Sequence, residues 1–221
     1  NYAETHWEGK YVDFDDNGWH EFAQLDEGIS VVATESRVEQ QIPFVLYLMW
    51  DSPSRTVYDF DLSMTDEEGD VISYSANLQE SVNAINFEYV YFTPEEPGTY
   101  SLGILYGGDE SPDAILEIFS PSDKLEYPVP QGSVSVPTDA KGVISVGAIN
   151  YYDSRLEPFS SQGPTNHCIQ SPSLVAPNAV TTAVYGDTPF FGTSAAAPHV
   201  AGMVALMIDK TPQLTPLEIL S

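Results

Sequence analysis

The chain has 221 residues, with 33 Asp and Glu against 7 Lys and Arg and a formal net charge of −26. A field this negative disfavours nucleic acid and anionic membrane as partners, and it favours solubility, divalent cations or basic peptides. No apolar run approaches the roughly eighteen residues of a membrane span. A single cysteine, Cys168, excludes an internal disulfide.

The charge divides unevenly. Residues 1–128 carry 27 acidic against 4 basic side chains, whereas residues 129–221 carry 6 against 3. Two domains are expected on that boundary, with Asn1–Ala3 assignable to either. Most of the carboxylates read as a solvated acidic surface.

Near the start, Asp13-Phe14-Asp15-Asp16-Asn17-Gly18 spells the D-x-D-x-N-G opening of a calcium loop. Calcium takes six to eight oxygens, and alternating acidic positions before a glycine turn can wrap one ion. The twelfth position of an EF-hand loop falls on Gln24, and the flanks look extended, so a two-helix EF-hand is not expected. A single loop with Asp13, Asp15, Asn17 and Glu21 as ligands remains, beside the plainer reading of an acidic turn that binds nothing.

Short alternating runs follow at Gly28–Ala33, Ile42–Trp50, Val57–Met64, Val71–Ser75, Phe87–Phe92, Gly98–Leu105 and Ala114–Phe119. Turn clusters separate them at 51–54, 66–70, 94–98 and 107–112. Many short strands without a helical pattern of useful length predict a β-sandwich. Asp59 and Asp61 alternate on one of these runs, which places both on one strand face as a weaker second calcium candidate.

Beyond residue 128 the texture changes. Gly142–Ile149 is a β-branched run bounded by glycine, as expected of a buried parallel strand. Leu174-Val175-Ala176-Pro177 is a short strand. At Gly192-Thr193-Ser194-Ala195-Ala196-Ala197-Pro198-His199-Val200-Ala201-Gly202, a hydroxyl sits at the mouth of an apolar helix. Gly192 allows a sharp turn, and Ser194 lies among the N–H groups that the helix cannot satisfy, where its dipole favours an oxyanion. Val200–Ile208 reads as a helix buried all round. An ordinary serine cap fits the hydroxyl alone, but capping does not require the whole string. His199 reads as a packed residue rather than a base.

That eleven-residue string resembles the nucleophile segment of subtilisin-like serine peptidases. Gly142–Ile149, Phe159-Ser160-Ser161-Gln162-Gly163-Pro164-Thr165 and Leu174–Pro177 are similar to neighbouring segments of the same family. The family has glycine after that proline; Asn178 stands here, an amide that tolerates a left-handed backbone. The resemblance implies a partial α/β subtilisin-like fold over 129–221, a polypeptide substrate and an acyl-enzyme on Ser194. It also implies a catalytic Asp and His from earlier segments, and neither family motif occurs among these residues. The chain is thus expected to lack the N-terminal half of a catalytic domain and to be inactive alone. Asn1 is a candidate side-chain donor to the oxyanion.

The acidic half resembles jelly-roll modules of secreted peptidases, the pre-peptidase C-terminal and P domains. Tyr58–Leu62, Glu68–Val71 and Pro97–Leu102 carry that likeness, which covers roughly residues 20–120. Secreted or cell-surface placement follows from the resemblance. The alternative function is an inactive subtilase or binding module, whose acidic sandwich binds calcium, substrate or a partner protein.

Overall fold

Alternation of apolar and polar side chains resolves into eight antiparallel strands between Thr5 and Pro128, one of two compact units in the chain. The computed structural model describes residues 2–51, 57–79 and 85–219. The strands are β1 (His6–Lys10), β2 (Ile29–Ala33), β3 (Phe44–Asp51), β4 (Phe60–Thr65), β5 (Val71–Ser75), β6 (Phe87–Phe92), β7 (Gly98–Tyr106) and β8 (Ile115–Phe119). They form two four-stranded sheets, ordered β1-β8-β3-β6 and β2-β7-β4-β5.

Period-two patterning explains which faces are buried. Phe44, Leu46, Leu48 and Trp50 of β3 turn inward, as do Phe60, Leu62 and Met64 of β4, Leu102 and Ile104 of β7, and Leu116 and Ile118 of β8. Ring contacts cross between the sheets: Phe44 and Phe92 meet Tyr100 at 5.6 and 5.4 Å, and Trp50 meets Phe60 at 5.3 Å. Each large side chain buried here contributes about 1.5–3 kcal/mol.

Two elements of this unit escape the sequence patterns. β1 reads His-Trp-Glu-Gly-Lys, in which Trp7 alone supplies a large apolar side chain. A short helix, α1 (Glu35–Glu39), begins where the Thr34 hydroxyl accepts the Arg37 N–H at 3.2 Å. Arg37 then reaches from this helix to the Ile42 and Pro43 carbonyls, to Asp123, and over the Phe44 ring at 4.2 Å. The expected turn at 66–70 forms with Gly69 at φ 85°, and Asp66 accepts the Glu68 and Asp70 N–H groups. The turn expected at 51–54 lies largely outside the described residues.

The second unit comprises Asn1–Glu4 and Val129–Ser221. Tyr2 N–H donates to Ser161 Oγ at 2.9 Å within it. Its centre is a parallel pair, β9 (Val146–Asn150) and β10 (Leu174–Asn178), with Ala148 opposite Ala176. A hairpin follows, β11 (Val180–Thr182) with β12 (Gly186–Phe190), then a long helix, α2 (Thr193–Lys210), and a short one, α3 (Pro216–Ile219). The hairpin carries no alternation that the sequence reading could use; Tyr185 stacks on Phe190 at 5.1 Å instead. β9 starts four residues later than the run from Gly142, because Gly142 adopts φ 87° in a turn.

Helix α2 departs from the expectation of burial on every side. Ala196 and Val200 join Ala148 and Ala176 in one cluster, flanked by Ile144, Val146, Phe159, Leu174 and Val204. Met203, Leu206 and Ile208 are exposed, Leu206 by 72%. Two strands present a surface that covers one stripe of a helix, so general apolarity does not become general burial. The described part of the chain is therefore mostly β, with antiparallel sheets, one parallel pair and one long helix. Among the described residues no helix is long and apolar enough to cross a membrane.

Candidate active site

The small residues Ala148 and Ala176 let α2 approach the parallel pair closely, and that approach places the helix mouth at the end of β10. Gly192 turns the chain there with φ 109° and ψ 169°, a conformation that side chains resist. Its carbonyl accepts Ala195 N–H at 2.9 Å and Ala196 N–H at 3.4 Å. Ser194 is the second helical residue and is exposed. Its N–H has no intrahelical acceptor, and the helix dipole adds partial positive charge beside it. An exposed hydroxyl and a backbone N–H free of any intrahelical acceptor thus sit on one residue.

One side chain holds this mouth in place, and the sequence reading gave it another role. Asn178 is fully buried at the end of β10. Its amide donates to the Ile149 carbonyl at 3.0 Å and to Glu157 at 2.8 Å, and its oxygen accepts Gly192 N–H at 3.5 Å. It joins β9, the loop after it and the entry to α2. The left-handed residue is its neighbour Ala179, with φ 57°. Asn178 itself keeps strand geometry, so a left-handed backbone does not explain the amide. A buried polar residue at a strand end is the signal that could have revealed it.

Below the mouth, Ser160 is buried and its hydroxyl accepts Ala148 N–H at 3.0 Å. A cavity of about 80 Å³ lies between Val134, Thr138, Gly147, Ser161, Pro172 and Thr193. His199 is exposed rather than packed, and its Nδ1 lies 2.8 Å from the Ala195 carbonyl. That bond ties the ring to its own helix. Among the described residues, no histidine bonds the Ser194 hydroxyl. Asn1 lies outside the described residues.

The calcium candidates are brought into one turn, with their oxygens engaged internally. Asp13 accepts Asn17 N–H at 3.2 Å and Gly18 N–H at 2.8 Å. Burial pushes its carboxyl up, but backbone N–H bonds from Gly18, Asn17 and Asp16 outweigh that and hold it below the usual range. Asn17 turns its NH₂ toward Asp15 and Glu27, while its oxygen accepts Trp19 N–H. Glu21 accepts Phe14 N–H at 2.6 Å. These bonds hold the acidic turn in shape.

Asp59 lies just before β4 and accepts Gln79 N–H at 3.0 Å. Burial, with the charges of Asp59 and Glu88, raises the Asp61 carboxyl above its usual range. Glu88 is fully buried and accepts from Asn77 N–H, the Asn77 amide, the Gln79 amide and the Ser75 hydroxyl.

Residues 127–220 match the family model described as "Subtilase family". This segment is similar to the subtilase family. The chain also resembles a solved structure, the CspB protease of Clostridium perfringens, with a TM-score of 0.65 and 18% identity. The match covers 94% of this chain and 46% of that one. The chain therefore spans about half the length of that protease, and at this identity the likeness concerns the fold. The helix mouth with Gly192 and Ser194 lies within the matched residues.

Proposed function

We propose that the subtilase-like segment is the C-terminal part of a subtilisin-like α/β catalytic domain that hydrolyses peptide bonds through an acyl-enzyme on Ser194. The observation that carries this reading is the exposed Ser194 hydroxyl, with its unsatisfied N–H, at the mouth of α2 behind Gly192 at φ 109°.

In the reaction, Ser194 Oγ attacks the scissile carbonyl carbon while a base takes its proton. The carbonyl oxygen becomes an anion held by Ser194 N–H. Collapse breaks the C–N bond, and the proton passes to the departing amine. Water then repeats the sequence on the ester and regenerates the hydroxyl. A side-chain oxyanion donor contributes about 2.7–4 kcal/mol where one has been removed, and we assign that role to Asn1. The base and its orienting carboxylate are assigned to a part of the peptidase outside these 221 residues.

The strand orders β1-β8-β3-β6 and β2-β7-β4-β5 support a jelly roll of two Greek keys for Thr5–Pro128. The same reading carries a polypeptide substrate and a secreted or cell-surface setting. Labelling with a fluorophosphonate tests it. The native peptidase that contains this sequence is expected to label on Ser194 and to lose the label in Ser194→Ala. The 221-residue polypeptide alone is expected to label negligibly. Label that survives Ser194→Ala in the native peptidase would refute the assignment.

A further inference from the structure

On β1, alternation sets His6 and Glu8 on the face opposite Trp7, away from the sandwich core. Antiparallel register then places Glu8 directly across from Glu117 of β8. Side chains in such a position have Cβ atoms about 4.5–5.5 Å apart. One ligand atom from each of His6, Glu8 and Glu117 lies within 4.8 Å of the others. These groups are not a solvated acidic surface: His6 is 0% exposed and Glu117 8%, with Glu8 intermediate.

Two carboxylates facing each other across a ladder repel, and removal from water makes their charge costlier. A cation between them reverses the sign of that interaction. The third donor decides which cation. Calcium and magnesium are held by oxygen ligands, whereas an imidazole nitrogen beside carboxylates suits zinc and neighbouring divalent metals. Donors of a four-coordinate zinc, at bonds of about 2.0–2.2 Å, stand about 3.4 Å apart.

We propose that His6, Glu8 and Glu117 form a zinc-class divalent metal site on the sandwich, with water completing the coordination. β1 is the edge strand of its sheet and β8 its one neighbour in the ladder. The metal therefore pins the edge strand to the sheet, and binding to the folded state alone stabilises it by mass action. The negative charge of residues 1–128 raises the local concentration of cations around the site. The site is independent of Ser194 and of the peptidase reading.

Chelator-stripped polypeptide, titrated with zinc alone and with calcium alone by calorimetry, tests this. One zinc per chain is expected, with a rise in melting temperature, and no calcium uptake that depends on these residues. Cobalt substitution is expected to give the strong visible bands of a four-coordinate ion. Glu8→Gln is expected to weaken zinc binding by at least about tenfold. Because it also removes a like-charge pair, the metal-free variant is expected to melt no lower than the wild type. His6→Gln loses zinc uptake, and Asp13→Asn with Asp15→Asn retains it. Absence of zinc uptake, or uptake unchanged by Glu8→Gln, would overturn the proposal. A metal-free Glu8→Gln protein that melts well below the wild type would do the same, since it would make the cluster structural.

Discussion

Arg37→Met offers a sharp test of how the sandwich is held. The change keeps an unbranched stem against Phe44 and deletes the guanidinium. Arg37 and Asp123 form an ion pair whose side chains are 12% and 7% exposed. Without the arginine, Asp123 keeps hydroxyl donors from Ser120 and Ser122 at 3.2 and 3.1 Å and the Ser120 Oγ contact to its own N–H. Its charge is then uncompensated, and the Ile42 and Pro43 carbonyls each lose a donor. Breaking one side of a buried pair costs about 3–5 kcal/mol, against about 0–1 kcal/mol for an exposed pair. With an m-value of about 2 kcal/mol per molar urea, the midpoint falls by roughly 2 M. Tryptophan emission suits the assay, because Trp7, Trp19 and Trp50 all lie in Thr5–Pro128. Asp123→Asn in the Arg37→Met background is expected to recover part of the loss. A midpoint shift below about 0.5 M, or simple additivity of the two changes, would refute the reasoning.

The acid sensitivity of the same unit is expected to come in part from His20. Burial lowers this imidazole from 6.5 to about 4, against an opposing bond to the Val12 backbone, with Trp7, Tyr11 and Phe22 packed round it. The unfolded chain then takes up the proton first, so this stability is complete above about 6.5 and is lost as pH falls toward 4, about 3 kcal/mol in all. Urea melts across that range should show the loss in wild type and a flatter profile in His20→Gln; parallel profiles would contradict it. Asn178→Ala is expected to destabilise the subtilase-like segment by about 1–3 kcal/mol by orphaning the Ile149 carbonyl and Glu157, read from the helical circular dichroism of α2. Val200→Ala should cost about 1–3 kcal/mol, whereas Leu206→Gln should stay within about 0.5 kcal/mol, because Val200 is 5% and Leu206 72% exposed. Equal losses would mean that the helix is buried as its composition suggested.

Strand patterns made the sandwich legible where a face is apolar: β3 alternates Phe44, Leu46, Leu48 and Trp50 inward without interruption. β1 escaped because its outward residues are His6 and Glu8, and its inward contribution is a single tryptophan. Ligand spacing in Asp13–Gly18 was legible too, but spacing does not say where oxygens point. Asp13 accepts a backbone N–H on each of its oxygens, which shapes the turn. The His6, Glu8 and Glu117 cluster left no local trace. Its third member lies more than a hundred residues from the first two, and strand register alone joins them.

The serine string was the most legible feature, and the structure shows what such a string specifies. It encodes a backbone: a glycine at φ 109°, small residues that admit the helix to the parallel pair, and a hydroxyl at the second helical position. On the proposed reading, those features would position a nucleophile and give it one oxyanion donor. They do not make the hydroxyl basic, because proton transfer needs a separate group within hydrogen-bond reach. His199 is the nearest histidine in sequence, yet it bonds the Ala195 carbonyl one turn back. Sequence proximity on a helix places a ring four residues from its acceptor, not over the mouth where Ser194 opens to solvent. On the proposed peptidase reading, positioning therefore resides in these residues and proton transfer falls to a group outside them.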